Sequence, residues 1–147
     1  LQAPGLRAVS ADGGLGRRWT LLYAPVPGGR DTYCDELCRG RLVEMSRARA
    51  ALGTKIGGRL RVLLVVPDTM DRAAIATLLA THPGLEAALA TAPWLRQIEA
   101  ALPAGARRGH VFLVNPQTRL MMRYDPKSTA SDLFEDLDRL LRISKVG

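Results

Sequence analysis

Apolar residues along this chain fall into two kinds of run, unbroken and spaced. Arg18-Trp-Thr-Leu-Leu-Tyr-Ala24 is a short unbroken run ended by Pro25-Val-Pro27-Gly-Gly29, which predicts a buried strand leading into a loop. Arg59-Leu-Arg-Val-Leu-Leu-Val-Val66, bounded by Gly57-Gly58 and Pro67-Asp68, is the strongest strand signal, and its near-continuous apolar content suits a strand covered on both faces. Gly109-His-Val-Phe-Leu-Val114 and Arg119-Leu-Met-Met-Arg-Tyr124 predict two more strands. The short Asn115-Pro-Gln-Thr118 turn between them suits an antiparallel hairpin.

The spaced runs predict helices. Asp35 to Leu52 places Leu42, Met45, Arg49 and Leu52 at helical intervals and stops at Gly53. Asp71 to Thr81 carries Ile75, Leu78 and Leu79 and ends at Pro83-Gly84. Thr91-Ala-Pro93 looks like a helix start, with Trp94, Leu95, Ile98 and Leu102 on one face and Pro103-Ala-Gly105 as the close. The last helix has Leu133, Leu137, Leu140 and Leu141 as its buried stripe, with Asp132 and Glu135 expected as an acidic cap pair. Residues 1–17, rich in Gly, Ala and Arg without a period, are expected to be a flexible lead-in, and residues 18–147 a single domain. The order strand-helix-strand-helix-(helix)-strand-strand-helix begins with a unit that forces a parallel, right-handed crossover. It is completed by a hairpin and a closing helix. That is an α/β class, thioredoxin-like fold: a central mixed sheet with helices on both faces.

Composition narrows the picture. At 147 residues the chain is one ordinary domain, long enough to bury roughly two-thirds of its unfolded surface. With 47% hydrophobic and 24% charged residues it is neither a disordered tail nor a collagen-like repeat. No apolar run approaches the ~18 residues of a membrane span. The net charge of +7 is concentrated at the front, where residues 1–60 hold ten basic and five acidic side chains. Such a charge suits nucleic acid, an anionic membrane or an acidic protein. Only 5% of residues are aromatic and no dense basic run exists, so nucleic acid is not the expected partner. The chain opens on Leu1 without a leader segment of its own.

The candidate chemistry is a cysteine pair. Cys34 and Cys38, the chain's two cysteines, stand in Tyr33-Cys-Asp-Glu-Leu-Cys38, where the first strand's loop meets the first helix. A helix N-terminus carries partial positive charge and free N–H groups that favour thiolate over thiol. Arg39 and Arg41 add to that effect, and Asp35 and Glu36 oppose it. A spacing of four puts both sulfurs on one helical face, close enough for a disulfide or a shared metal. Buried structural cysteines usually sit in apolar runs, whereas these have Thr, Asp, Glu and Arg neighbours. A purely structural disulfide would close too short a loop to constrain the unfolded chain much. The residues leave redox work and metal binding both open. Two thiolates form a soft site suited to Cu(I) but under-coordinated without a third ligand. His110, opening the first hairpin strand, falls where a thioredoxin-like chain places the residue facing its dithiol, and is the candidate; a half-exposed strand histidine is the alternative. His82, in Thr81-His-Pro-Gly84, reads as a helix-terminal residue. Met121-Met122 reads as core filling, and the acidic residues Glu135, Asp136 and Asp138 as a solvated face. No phosphate-binding loop, nucleophile elbow or HExxH is present.

From about Trp19 to Leu141 the chain resembles the Sco/SenC family, membrane-tethered thioredoxin-fold proteins of cytochrome c oxidase copper-site assembly. The resemblance is carried by Trp19-Thr-Leu-Leu-Tyr23, Cys34-Asp-Glu-Leu-Cys38, Arg61-Val-Leu-Leu-Val-Val-Pro-Asp68, His82-Pro-Gly-Leu85 and Phe112-Leu-Val-Asn-Pro-Gln-Thr118. It departs from the family in having Asp35 and Arg39, not Pro, after the cysteines, and Pro25 to Asp31 inserted ahead of them. The family's copper-ligand His position corresponds to Arg107, whereas His110 stands only two residues before Phe112. The resemblance implies copper as cargo, with Cys34, Cys38 and His110 as its ligands, or reduction of copper-site cysteines by a Cys34/Cys38 dithiol. It implies an oxidase copper-site subunit or another copper or thiol protein as partner. It places the domain on the periplasmic side of a bacterial inner membrane, held by a segment outside this chain. Two other functions compete with that reading. One is a general thiol–disulfide oxidoreductase working without copper. The other is a non-catalytic thioredoxin-like module that binds a protein.

Overall fold

The computed structural model describes residues 6–9, 18–24, 34, 36–100, 110–117 and 119–144. Six strands form one mixed sheet: β1 (Leu6–Val9), β2 (Trp19–Tyr23), β3 (Leu60–Pro67), β4 (Leu85–Ala90), β5 (Val111–Val114) and β6 (Leu120–Tyr124). Their order across the sheet is β1-β4-β3-β2-β5-β6. β1, β4, β3 and β2 run parallel, while β5 is antiparallel to β2 and β6 to β5. The two central strands β2 and β3 are buried on both faces, as their unbroken apolar runs require.

Two successive crossovers step from β2 to β3 to β4, through α1 (Glu36–Ala51) and α3 (Arg72–Thr81). A right-handed crossover repeated in one direction lays both helices on one face. Ile75, Leu78 and Leu79 of α3 accordingly share the main core with Cys38, Leu42, Met45 and Ala48 of α1. The path then reverses. α4 (Ala92–Ala100) crosses the opposite face to reach β5, and Trp94 and Leu95 pack there on Leu22, Leu63, Val65 and Phe112. Helices thus cover both faces, as expected for a thioredoxin-like fold. α5 (Ala130–Ile143) returns to the first face and buries Leu133, Leu137 and Leu141 beside α1, with Leu140 packed at the margin.

Several elements differ from the sequence expectation. Residues 6–9, expected within a flexible lead-in, form an edge strand paired with β4. Leu-Glu-Ala-Ala-Leu-Ala (85–90), unassigned by pattern, is a strand between β1 and β3. Gly53 ends α1 as expected, but at φ 83 it turns the chain into a further short helix, α2 (Gly53–Gly57). The cap of α5 is Thr129, not the Asp132/Glu135 pair. The Thr129 hydroxyl accepts from Asp132 N at 3.2 Å, and the Asp132 carboxylate accepts from Thr129 N at 2.9 Å. Asp71, expected as the first residue of α3, is its N-cap, accepting from Ala73 N at 3.1 Å. Leu102, Pro103 and Arg107 lie outside the described residues, and among those that are described no helix is long and apolar enough to cross a membrane.

The closing helix is tied down at both ends by other elements. The Glu44 carboxylate of α1 accepts a hydrogen bond from Ala130 N, at the first turn of α5. Arg59, just ahead of β3, donates to the carbonyls of Leu141 and Ser144 at the other end. Thr129→Ala is expected to cost about 1 kcal/mol of stability in urea unfolding. Leu137→Ala, at a fully buried site, is expected to cost roughly 2–5 kcal/mol.

Candidate functional site

α1 begins at the end of the sheet where β2 finishes, which brings the two cysteines there. Cys38 lies in the first turn of α1, among the backbone N–H groups that have no partner within the helix. Cys34 precedes the helix by two residues. Their sulfurs form a disulfide, with the Cα atoms 5.0 Å apart. Both residues pack in the main core, but unequally: Cys38 is fully enclosed and Cys34 keeps 8% of its surface. Cys34 is the more exposed member of the pair.

The charges expected around the pair divide into different tasks. Arg39, exposed, donates from Nη1 to the Cys34 carbonyl at 3.3 Å, so its cation is held against the more accessible cysteine. Arg41 is instead 4% exposed and reaches away across α1. Its Nη1 donates to Ser128 O at 2.6 Å and more weakly to Pro126 O at 3.4 Å, pinning the loop between β6 and α5. Burial lowers the Arg41 pKa, and Glu44, Tyr23 and Asp125 oppose that by favouring the cation. Glu36 is exposed, and Asp35 lies outside the described residues.

His110 immediately precedes β5, whose first residue Val111 pairs with Tyr23 on one side and Tyr124 on the other. It therefore enters the sheet at the end where β2 hands the chain on towards Cys34. It is 7% exposed, so it is buried and not the half-exposed strand histidine that was the alternative. In this oxidised form no group of three or more His, Cys, Asp or Glu side chains among the described residues is arranged to hold a metal ion. His82 caps the C-terminus of α3, its N–H donating to Leu78 O, as its sequence position implied. Met121 and Met122 are exposed and do not fill the core. Of the acidic cluster, Asp138 pairs with Arg142 on the outer side of α5, a solvated-face contact. A cavity of about 420 Å³ lined by Arg49, Thr54, Gly57 and Gly84 lies at the far end of α1. It is separated from Cys38 by roughly 16 Å of helix. The disulfide thus lies outside this cavity.

Sequence reasoning missed Tyr124, Glu44 and the contacts made by Arg41. Glu44 and Arg41 join segments about 85 residues apart, and Tyr124 joins β6 to Asp136 of α5. No local pattern encodes such a pairing: α1 carries Arg39, Arg41, Glu44, Arg47 and Arg49, and nothing in the sequence singles out the two that reach the loop before α5.

A parallel core extended by an antiparallel hairpin, with a disulfide at the head of the helix after β2, defines a thioredoxin-like domain bearing a paired dithiol. The profile of the Transmembrane-like, thioredoxin-like, C-terminal domain family matches residues 19–144, and the chain belongs to that family. No curated protein matches the sequence. Among solved structures, Bradyrhizobium japonicum ScoI with copper bound is similar at 21% identity and a TM-score of 0.60, covering 87% of this chain and 88% of its own. Yeast Sco1 with copper bound is similar at 14% identity and a TM-score of 0.68, covering 88% and 82%. A secreted thiol-disulfide isomerase from Corynebacterium glutamicum is similar at 12% identity and a TM-score of 0.61, covering 86% and 72%. At these identities the likeness is one of fold.

Tyr124 supplies a pH test of how this end of the sheet is closed. It is 6% exposed, its hydroxyl meets Asp136 and lies 3.4 Å from Met122 Sδ. Burial, reinforced by the Asp136 charge and hydrogen bond, pushes its phenol well above the ordinary range. The phenol then holds its proton more firmly folded than unfolded. Its contribution to stability is complete below pH ~10, the unfolded value, and is lost as pH climbs beyond it. Urea midpoints measured from pH 8 to 11 are expected to fall more steeply for the wild type than for Tyr124→Phe.

Proposed function

We propose that this domain is a Sco-type thiol–disulfide exchange protein that reduces the cysteine pair of a partner, with the copper-site cysteines of cytochrome c oxidase as the intended substrate. The observation that supports this most is the Cys34–Cys38 disulfide at the head of α1, with Cys38 fully enclosed and Cys34 slightly exposed. In the reduced protein the Cys34 thiolate attacks one sulfur of the partner disulfide. A mixed disulfide forms and the partner's other sulfur leaves as a thiolate that takes up a proton. The Cys38 thiolate then attacks Cys34 Sγ, which closes the intramolecular disulfide and releases the partner as a dithiol. Two electrons pass to the partner, and the protein is left in the oxidised form described here. An external dithiol reductant must restore it. We place this cycle on the periplasmic side of the inner membrane, where disulfides persist. The domain would be held there by an anchor outside this chain.

The exposure difference makes the order of attack testable. In Cys38→Ser the mixed disulfide formed with a disulfide-bonded peptide of the Cys-x-x-x-Cys kind is expected to accumulate as a stable covalent adduct. In Cys34→Ser it is expected to be at most a minor species. Equal trapping by both variants would remove the assigned order. Absence of exchange by the reduced wild type would remove the redox reading altogether and leave a protein-binding module.

Copper delivery is a second reading, favoured by the burial of His110 at the same end of the sheet and by the copper-bound Sco structures that share the fold. In the oxidised form the two sulfurs are bonded to each other, so Cu(I) as cargo requires prior reduction. The donors are then two thiolates and one imidazole, a soft set suited to Cu(I). Anaerobic titration of the reduced domain with Cu(I) against a competing chelator is expected to give one-to-one binding that weakens in His110→Ala while thiol exchange persists. Affinity no greater than that of a simple dithiol peptide would leave exchange without copper.

A further inference from the structure

Three of the five large apolar side chains exposed among the described residues stand together on the outermost strand β6: Leu120 at 46%, Met121 at 47% and Met122 at 37%. The strand is irregular. Leu113 pairs with Met122 but Val114 with Leu120, so Met121 is the extra residue of a bulge. A bulge at an edge disturbs the hydrogen-bonding row that another strand would need, and so works against strand addition. What the strand offers is its side chains: by register Leu120 stands on the face of Val114 and Met122 on the opposite face with Leu113, with Met121 at the bulge between them, so a partner grips the strand across its free edge. Methionine is long, unbranched and adaptable, and together with arginine it is enriched where proteins meet. The two sulfurs have only light engagements, with Asn115 Nδ2 at 3.4 Å from Met121 Sδ and the Tyr124 hydroxyl at 3.4 Å from Met122 Sδ.

The rim of the patch is basic. Arg119 and Arg123 bracket it and Lys127 follows, all exposed. The carboxylate within this stretch, Asp125, is committed to its own turn, where Oδ1 accepts from Lys127 N at 2.8 Å. An apolar centre with a cationic rim, on a chain of net charge +7, complements an apolar centre with an anionic rim. A second copy fits poorly. Antiparallel apposition about Met121 would set Arg119 of one copy against Arg123 of the other, and like charges directly opposite are destabilising.

We propose that β6 is a docking strip for an acidic partner protein, engaged side chain to side chain through Leu120, Met121 and Met122, with Arg119 and Arg123 meeting carboxylates at its edges. The strip does not depend on the exchange reaction. It runs beside that site all the same: β6 lies two strands from β2, roughly 10 Å at ordinary strand spacing. Its Tyr124 end is level with the end of β2 that leads to Cys34.

The test uses the oxidised protein with methyl-labelled methionine and two synthetic peptides that share a Leu-Phe-Leu centre, one flanked by paired Asp and the other by paired Lys. Saturable shifts of the Met121 and Met122 methyl signals are expected with the Asp-flanked peptide, weakening as salt is added. Arg119→Glu, a fully solvated change, is expected to weaken binding about 5- to 10-fold, the scale of a surface pair lost and a repulsion gained. Met121→Ser is expected to weaken it without altering the salt dependence. Equal binding of the two peptides, shifts centred elsewhere, or no saturable shift would overturn the assignment. So would concentration-dependent shifts of the same methyl signals in the protein alone, which would make a second copy the occupant.

Discussion

Helix α1 is seated on the sheet by one apolar stripe, Cys38, Leu42, Met45 and Ala48, each with no accessible surface. Most of the remaining architecture is arranged around that contact. The stripe fixes the rotation of the helix about its axis. The rotation in turn decides that Cys38 points inward, that Arg39 lies outside against the Cys34 backbone, and that Arg41 and Glu44 reach the loop before α5. A rotation of one residue's worth, about 100° on a helical wheel, would put a charge into the core and a thiol into water. The disulfide is thus a consequence of helix packing as much as of cysteine spacing.

The same helix explains why a buried arginine is tolerated. Arg41 loses hydration, which disfavours its charge, but it gains two backbone carbonyls and three nearby groups that favour the cation. Removing such a partner set is costly, while the set itself adds little net stability. Its effect is geometric. It joins the cysteine-bearing end of α1 to the hairpin and the closing helix, where Tyr23, Val111 and Tyr124 pack in the same core as the cysteines.

How much of this was legible in the sequence follows from where each element gets its stability. β2 and β3 announce themselves because a strand covered on both faces must be apolar throughout. α5 does so because its stripe is strict and its opposite face charged. β4 was hidden, since Leu-Glu-Ala-Ala-Leu-Ala is composed mostly of good helix formers and becomes a strand only because β3 and β1 pair with it on either side. β1 was hidden for the complementary reason: four residues carry no period, and among the described residues they are paired with β4. At the site, the cysteine spacing and the level of His110 could be counted from local motifs. The loop pinned by Arg41 depends on a contact across more than 80 residues and could not.

The clamp between α1 and α5 has a consequence for the order in which the molecule is made. A chain that emerges N-terminus first presents Cys34 and Cys38 long before Pro126, Ser128 and Ala130 exist to receive Arg41 and Glu44. Until then the cysteine-bearing helix lacks the neighbour that closes its flank, and both thiols stand in a half-built layer open to any oxidant or stray thiol. The last twenty-odd residues therefore act as an in-built chaperone for the first pair of sulfurs.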